Sequence, residues 1–119
     1  AGGAHLHAIG SAVVADNNFN LETQDIPAGA LTVHIFGPTN VQTPWGDGYR
    51  CVTGALLQRY RVLQADANGV VRETIDLSVP PALWYFVPAA TFHFQNVYRD
   101  AAGGPAGFNS SDAVSVTFN

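Results

Sequence analysis

His5 and His7 stand two apart, a spacing that puts both imidazoles on one face of a strand, where a third ligand would complete a transition-metal site. No carboxylate or thiolate lies near them in the chain, so an exposed strand face is the plainer reading and no metal or other cofactor is expected. His34 and His93 fall in the middle of alternating segments and read as packed or partly exposed side chains. Equipment for nucleophilic catalysis is missing: there is no G-x-S-x-G elbow, and Ser110 and Ser111 sit in a presumptive turn without a neighbouring base. Glu22 and Glu73 are the only glutamates, and each alternates with polar neighbours as a solvated strand face does, not as a carboxylate pair would. The expectation is a protein that is not an enzyme. Calcium would need a site assembled from separate loops, because Asp16, Asp47 and Asp66 each bring a single carboxylate to a turn.

Flat aromatic rings offer a different chemistry. Trp45 and Tyr49 flank Gly46, Asp47 and Gly48, and Trp84, Tyr85 and Tyr98 follow, a set able to stack on pyranose C–H faces while Asp and Asn accept hydroxyl hydrogen bonds. The alternative is that these rings close the two ends of a core. Cys51 is the single cysteine, so no disulfide forms within the chain. It reads as a small buried hydrophobe, or as one half of a disulfide to another chain.

Composition bounds what these residues serve. Of 119 residues, 47% are hydrophobic and only 12% charged, with 12 Gly and 7 Pro, so the chain has the apolar surface to offset its ordering entropy and folds as one domain over residues 1–119. Lys and Met are both absent. The five cations, Arg50, Arg59, Arg61, Arg72 and Arg99, are scattered, and the net charge is -4, a balance that disfavours nucleic acid and anionic membrane. No apolar run reaches the length of a membrane span. The opening AGGA suits the product side of signal-peptidase cleavage, and with the missing Lys it leads to the expectation of an exported protein.

The elements that must position these side chains are strands. No window keeps apolar residues at i, i+3, i+4 and i+7 for the length of a helix. Alternation runs instead through residues 4–14, 19–25, 30–36, 49–57, 58–65 and 70–77, with turns at Asp16-Asn17-Asn18 and Gly37-Pro38 and a long turn-rich stretch over 37–48. DANG at residues 66–69 is the strongest hairpin signal, with Gly69 in the left-handed position. Residues 80–88, PPALWYFVP, allow one helical turn. Near the end, Phe92, Phe94 and Tyr98 share a face opposite His93, Gln95, Val97 and Arg99; a last strand starts at Ala113, with Val114, Val116 and Phe118 inward. Gly103, Gly104, Pro105 and Gly107 make the loop between them. Seven to nine short strands predict an all-β chain, a single antiparallel β-sandwich of immunoglobulin-like or jelly-roll-like kind with Greek-key connections, a closed barrel being the alternative.

Residues 44–54, PWGDGYRCVTG, followed by FHFQNVYRDAAGGPAGFNSSDAVSVTF, resemble a domain found near the C-terminus of many large secreted and cell-surface proteins of planctomycete-like and related bacteria. Arg99, Asp100, Phe108, Asn109, Ser111 and Asp112 match that pattern position by position. The resemblance implies an exported β-sandwich without an established activity. Relatives often carry more cysteines, so the lone Cys51 departs from them. Chemically the matching residues look like a scaffold: Arg99 and Asp100 bridging to Asp112 or to loop carbonyls, Asn109 and Ser111 bonding back to the backbone, the whole locking the Gly-rich loop.

Three functions compete on these grounds. The first is a self-assembling subunit of an extracellular filament, sheath or layer, with residues 1–14 either a strand that adds to a neighbouring copy through Leu6, Ala8 and Val14 or an ordinary first strand in its own sheet. The second is a carbohydrate-binding or adhesion module using Trp45, Tyr49 and Trp84. The third, a hydrolase, would need a triad assembled from distant residues. The first is the expectation; its partners are copies of the same chain, and glycans are the partners of the second.

Overall fold

The computed structural model describes residues 4–54, 57–101 and 104–119, and within them the chain is an all-β sandwich. Ala1 to Gly3 of the expected assembly segment and Gly103 of the Gly-rich loop lie outside the described residues. Nine strands form: β1 (His5–Gly10), β2 (Phe19–Gln24), β3 (Leu31–Gly37), β4 (Thr39–Trp45), β5 (Gly48–Thr53), β6 (Gln58–Gln64), β7 (Val71–Ile75), β8 (Thr91–Arg99) and β9 (Phe108–Thr117). One helical turn, α1 (Ala82–Tyr85), stands where PPALWYFVP allowed it. One sheet has the order β1-β2-β7 and the facing sheet β6-β3-β8-β9, all antiparallel. β2 thus lies beside β7 and β3 beside β8, so each sheet is built from segments distant in sequence.

Strand parity explains the packing. Phe19 and Leu21 of β2, Ile75 of β7, Phe36 of β3 and Phe92 and Phe94 of β8 all point between the sheets, where Phe86 and Phe118 join them in one cluster. The Phe86 and Phe118 rings stack at 4.9 Å and the Phe36 and Phe86 rings meet edge to face at the same distance. Each such ring contributes about 1.5–3 kcal/mol through burial, with a further ~0.5–1.5 kcal/mol per well-placed pair. A second cluster, Ala4, Ile26, Ala65, Val71 and Tyr98, fills the other end.

Three expectations change here, and one alternative is chosen. The DANG segment forms its turn as expected, with Gly69 at φ +74° and Asp66 N–H bonded to the Val70 carbonyl, but it does not make a hairpin. β6 and β7 lie in different sheets because Ala65 N–H goes to the Ala30 carbonyl and the Gly69 carbonyl takes Ile26 N–H, pulling the two strands apart. The stretch 37–48, read as turns, contains β4, paired with β5 as a separate two-stranded ribbon. β9 begins at Phe108 and not at Ala113, so FNSSDA is strand, bulged opposite β8 between Gln95 and Val97. Lastly, β1 belongs to its own sheet, and of its expected apolar face Leu6 is buried and Val14 half-buried while Ala8 is exposed; β1 is the edge strand, with β2 as its only sheet neighbour.

Candidate functional site

The β4–β5 ribbon lies over the outer face of the β6-β3-β8-β9 sheet, and Gln95 is what holds it there. By parity Gln95 points outward from β8, yet it is fully buried beneath the ribbon. Its Nε2 donates to the carbonyls of Tyr49 and Ser111, both at 2.7 Å, and its Oε1 accepts Cys51 N–H at 2.8 Å. Ser110 Oγ donates to the same Tyr49 carbonyl at 2.6 Å. Cys51, unpaired and half-buried, therefore sits on a clamped strand; burial pushes its thiol pKa up, partly countered by the Gln95 contact and reinforced by Asp112.

The ribbon's tip is keyed to the loop before β9. Asp47 N–H donates to the Phe108 carbonyl at 3.1 Å, and Asp47 Oδ1 accepts Ala106 N–H at 3.3 Å. A Cβ on Gly46 would overlap the Phe108 ring, one on Gly48 the Asn109 side chain, and one on Gly104 the Asp47 carboxylate. The two halves of the quoted pattern, GDG and GPAGFN, therefore touch each other.

The expected loop lock forms in part: Asn109 and Ser111 bond back to the backbone as expected and Asp100 meets a loop carbonyl, but not through Arg99 and Asp112. The Arg99 side chain takes part in no hydrogen bond or ion pair among the described residues, its backbone lying opposite Phe108 in the ladder, and Asp112 is engaged elsewhere. Asp112 Oδ1 accepts Leu6 N–H at 2.8 Å, its Oδ2 lies 3.6 Å from His5 Nδ1, and its N–H donates to the Ala4 carbonyl, so it ties β1 to β9. Ser111 Oγ accepts Asn96 N–H at 2.9 Å inside the bulge and donates to the Asp112 carbonyl. Asn109 Oδ1 accepts Ser110 N–H, and Asp100 closes the loop through its backbone N–H to the Gly107 carbonyl.

The aromatic set does not converge. Trp45 pairs with Gly48 and Pro44 with Tyr49 across the ribbon, so Trp45 and Tyr49 face opposite sides: Trp45 turns down onto Phe108, with ring centroids 5.6 Å apart, and Tyr49 turns out, 50% exposed. Trp84 lies at the far end of β8, next to Tyr85, which packs on Phe36 and Phe92. Tyr98 is buried in the second core cluster. Trp45 instead closes one end of an open apolar groove of about 490 Å³, walled by Leu31 and Val33 of β3, Val62 of β6, Val97 and Arg99 of β8, and Phe108. Sequence reasoning did not find this groove, because it depends on where the ribbon stops covering the sheet.

The other unforeseen constellation is buried. Thr23 Oγ1 lies 3.0 Å from His34 Nε2, and His34 Nδ1 lies 2.9 Å from Glu73 Oε1, with Arg61 Nε 3.7 Å from Glu73 Oε2. Glu73 is not on a solvated face as expected: Val71, Glu73 and Ile75 all point inward from β7. Hydroxyl, imidazole and carboxylate stand in the order used for acyl transfer. All three are sealed in the core, however, and none borders the groove, so as it stands the chain of bonds joins β2 and β7 of one sheet to β3 of the other. Among the described residues no group of three or more His, Cys, Asp or Glu is placed to hold a metal, and His5 touches Asp112 and Asp25 through opposite ring nitrogens.

No protein-family model, curated protein or solved structure matches this chain.

Proposed function

We propose that the chain is a non-enzymatic, exported structural subunit that assembles with copies of itself into an extracellular filament, sheath or layer. The observation that carries this reading is the amount of large apolar surface left in water. Val13, Leu31, Val62, Val79, Leu83, Trp84 and Val87 are all exposed in a chain with only 12% charged residues. Surface of that kind marks contact with another macromolecule when it is grouped, and here it is grouped at two places. Exchange of β1 remains part of the proposal: β1 is an edge strand that brings Leu6 to the core and is tied to β9 through one residue, Asp112. Sedimentation and negative-stain electron microscopy of the purified chain test it, with filaments or arrays expected and dispersed monomers at every concentration counting against it. If β1 exchanges, an excess of a peptide of residues 4–14 caps the assemblies and shortens them.

A carbohydrate-binding or adhesion role is the second reading, favoured by the half-exposed Tyr49 ring on the outer side of the ribbon. A glycan array with Tyr49→Ala as the control separates the two.

A further inference from the structure

We propose that copies of this chain join head to tail, the apolar protrusion around Trp84 of one copy seating in the groove beside Trp45 of the next. The proposal rests on the self-assembly reading and goes beyond it by naming the two surfaces.

The protrusion is residues 79–88, between β7 and β8. Ala82 and Phe86, one helical turn apart, are buried in the Phe cluster. Anchoring that side of the turn forces the other side out, so Val79, Leu83 and Val87 are about half exposed and Trp84 is 65% exposed. Such a patch is on the order of 400 Å², within the range that on a monomer is often functional. The groove is its concave counterpart: Leu31 and Val62 are each about half exposed on its walls, and its volume suits one or two large side chains.

The two surfaces cannot meet within one molecule. Phe92, which packs through Tyr85 against the base of the protrusion, and Val97 of the groove are five residues apart on β8, about 17 Å at ~3.3 Å per residue. A protrusion at one end and a cavity at the other make a heterologous contact, and such contacts generate open chains when the rotation does not close.

Charge agrees with that occupant, and area sets how weak the contact is. Among the described residues Arg99 is the only charged side chain in the groove wall. Asp76, three residues before Val79, is an exposed carboxylate whose pKa is held below its usual value by the Ser78 hydroxyl and amide and by Asn17. Two apolar patches of this size fall short of the roughly 1,200–2,000 Å² of a standard stable interface, so the polar rim must add the remainder and a single contact is weak. Association that grows with concentration follows.

Single-face variants test this by sedimentation velocity on the full chain. Trp84→Asp, with Leu83→Asp as a second protrusion variant, removes one surface; Val62→Asp, with Leu31→Asp as a second groove variant, removes the other. These side chains are at least half exposed, so far-UV circular dichroism and melting should match the parent. The expected result is that each variant alone loses the association this contact gives the parent, while an equimolar mixture of a protrusion variant and a groove variant regains one such contact per pair and grows no further through it, since only one intact pair of surfaces remains. If the parent chain assembles and every variant assembles equally, the contact lies elsewhere and this proposal fails while self-assembly stands. If the parent chain stays monomeric at its highest soluble concentration, self-assembly fails as well and the groove belongs to another occupant.

Discussion

Gln95 Nε2 donates to the carbonyl of Tyr49 at 2.7 Å across 46 residues of chain, and that bond fastens the β4–β5 ribbon to the sandwich. With Ser111 taking the other amide hydrogen and Cys51 donating to the Gln95 carbonyl, the side chain spends both its donors and one acceptor site, two of the three bonds holding a third layer in place. The ribbon in turn sets one end of the groove through Trp45. A buried polar side chain thereby fixes the shape of an apolar surface.

Gln95→Leu keeps the volume and removes all three bonds, leaving Cys51 N–H buried without a partner. The expected loss is about 2–4 kcal/mol, read as a lower melting temperature. Faster hydrogen exchange at the Cys51 amide and faster reaction of its thiol should accompany it, since both depend on the ribbon staying down. Unchanged exchange in a destabilised variant would show that the ribbon is held by other contacts.

The loop before β9 gives a contrast between two substitutions. Gly46→Ala sets a side chain at φ +60° and drives its methyl group into the Phe108 ring, and should cost about 1–3 kcal/mol. Arg99→Ala removes a cation that makes no hydrogen bond or ion pair among the described residues and should change stability by less than about 0.5 kcal/mol. Thermal melts of the two variants decide it: equal losses would restore Arg99 as part of the lock.

Much of the sandwich was legible from period-2 alternation, because burial on one face of a strand leaves that pattern in the residues. The terminal strand showed it: Phe92, Phe94 and Tyr98 point inward as their spacing requires. β4 was hidden because TNVQTPW carries no such alternation; a ribbon lying on the outside of another sheet buries little. Turn chemistry at DANG was read correctly but its consequence was not, since whether two strands stay paired depends on what Ile26 and Ala30 offer them. Glu73 was discoverable. It shares parity with Val71 and Ile75, and a charge at an inward position signals a buried partner, here His34. The groove left no local signal, being made by five strands at once.

Breaking the buried tie and replacing it should have opposite effects. Glu73→Ala strands His34 Nδ1 in the core and opens a cavity, an expected loss of about 3–5 kcal/mol. Thr23→Val, His34→Leu and Glu73→Leu together leave no polar group unmatched and should recover most or all of that loss, because the tie's gain is set against the desolvation of its members. Chemical denaturation of the single and triple variants measures the difference. A triple variant as weak as Glu73→Ala would mean that the tie stabilises the fold beyond the packing that replaces it.

High pH offers a separate test through Tyr60. Its hydroxyl is buried without a hydrogen-bond partner among the described residues, and burial, reinforced by the Glu73 carboxylate, pushes its pKa above the usual value for tyrosine. Tyr98 is shifted the same way by burial. A folded-state pKa above the unfolded one means that the stability tied to the neutral phenol is fully present below pH ~10 and is lost as pH rises from there toward the folded value. Tyr60→Phe removes that loss, and it removes an unsatisfied hydroxyl while keeping the ring that packs on Phe36 at 5.2 Å. At neutral pH the variant should therefore be as stable as the parent or more so, by up to about 1 kcal/mol. Above pH ~10 the gap should widen in the variant's favour, since only the parent still gains protons on folding at this site. Melting temperatures of both proteins across the alkaline range measure the gap directly, and a constant difference would mean that Tyr60 titrates alike in the folded and unfolded chain.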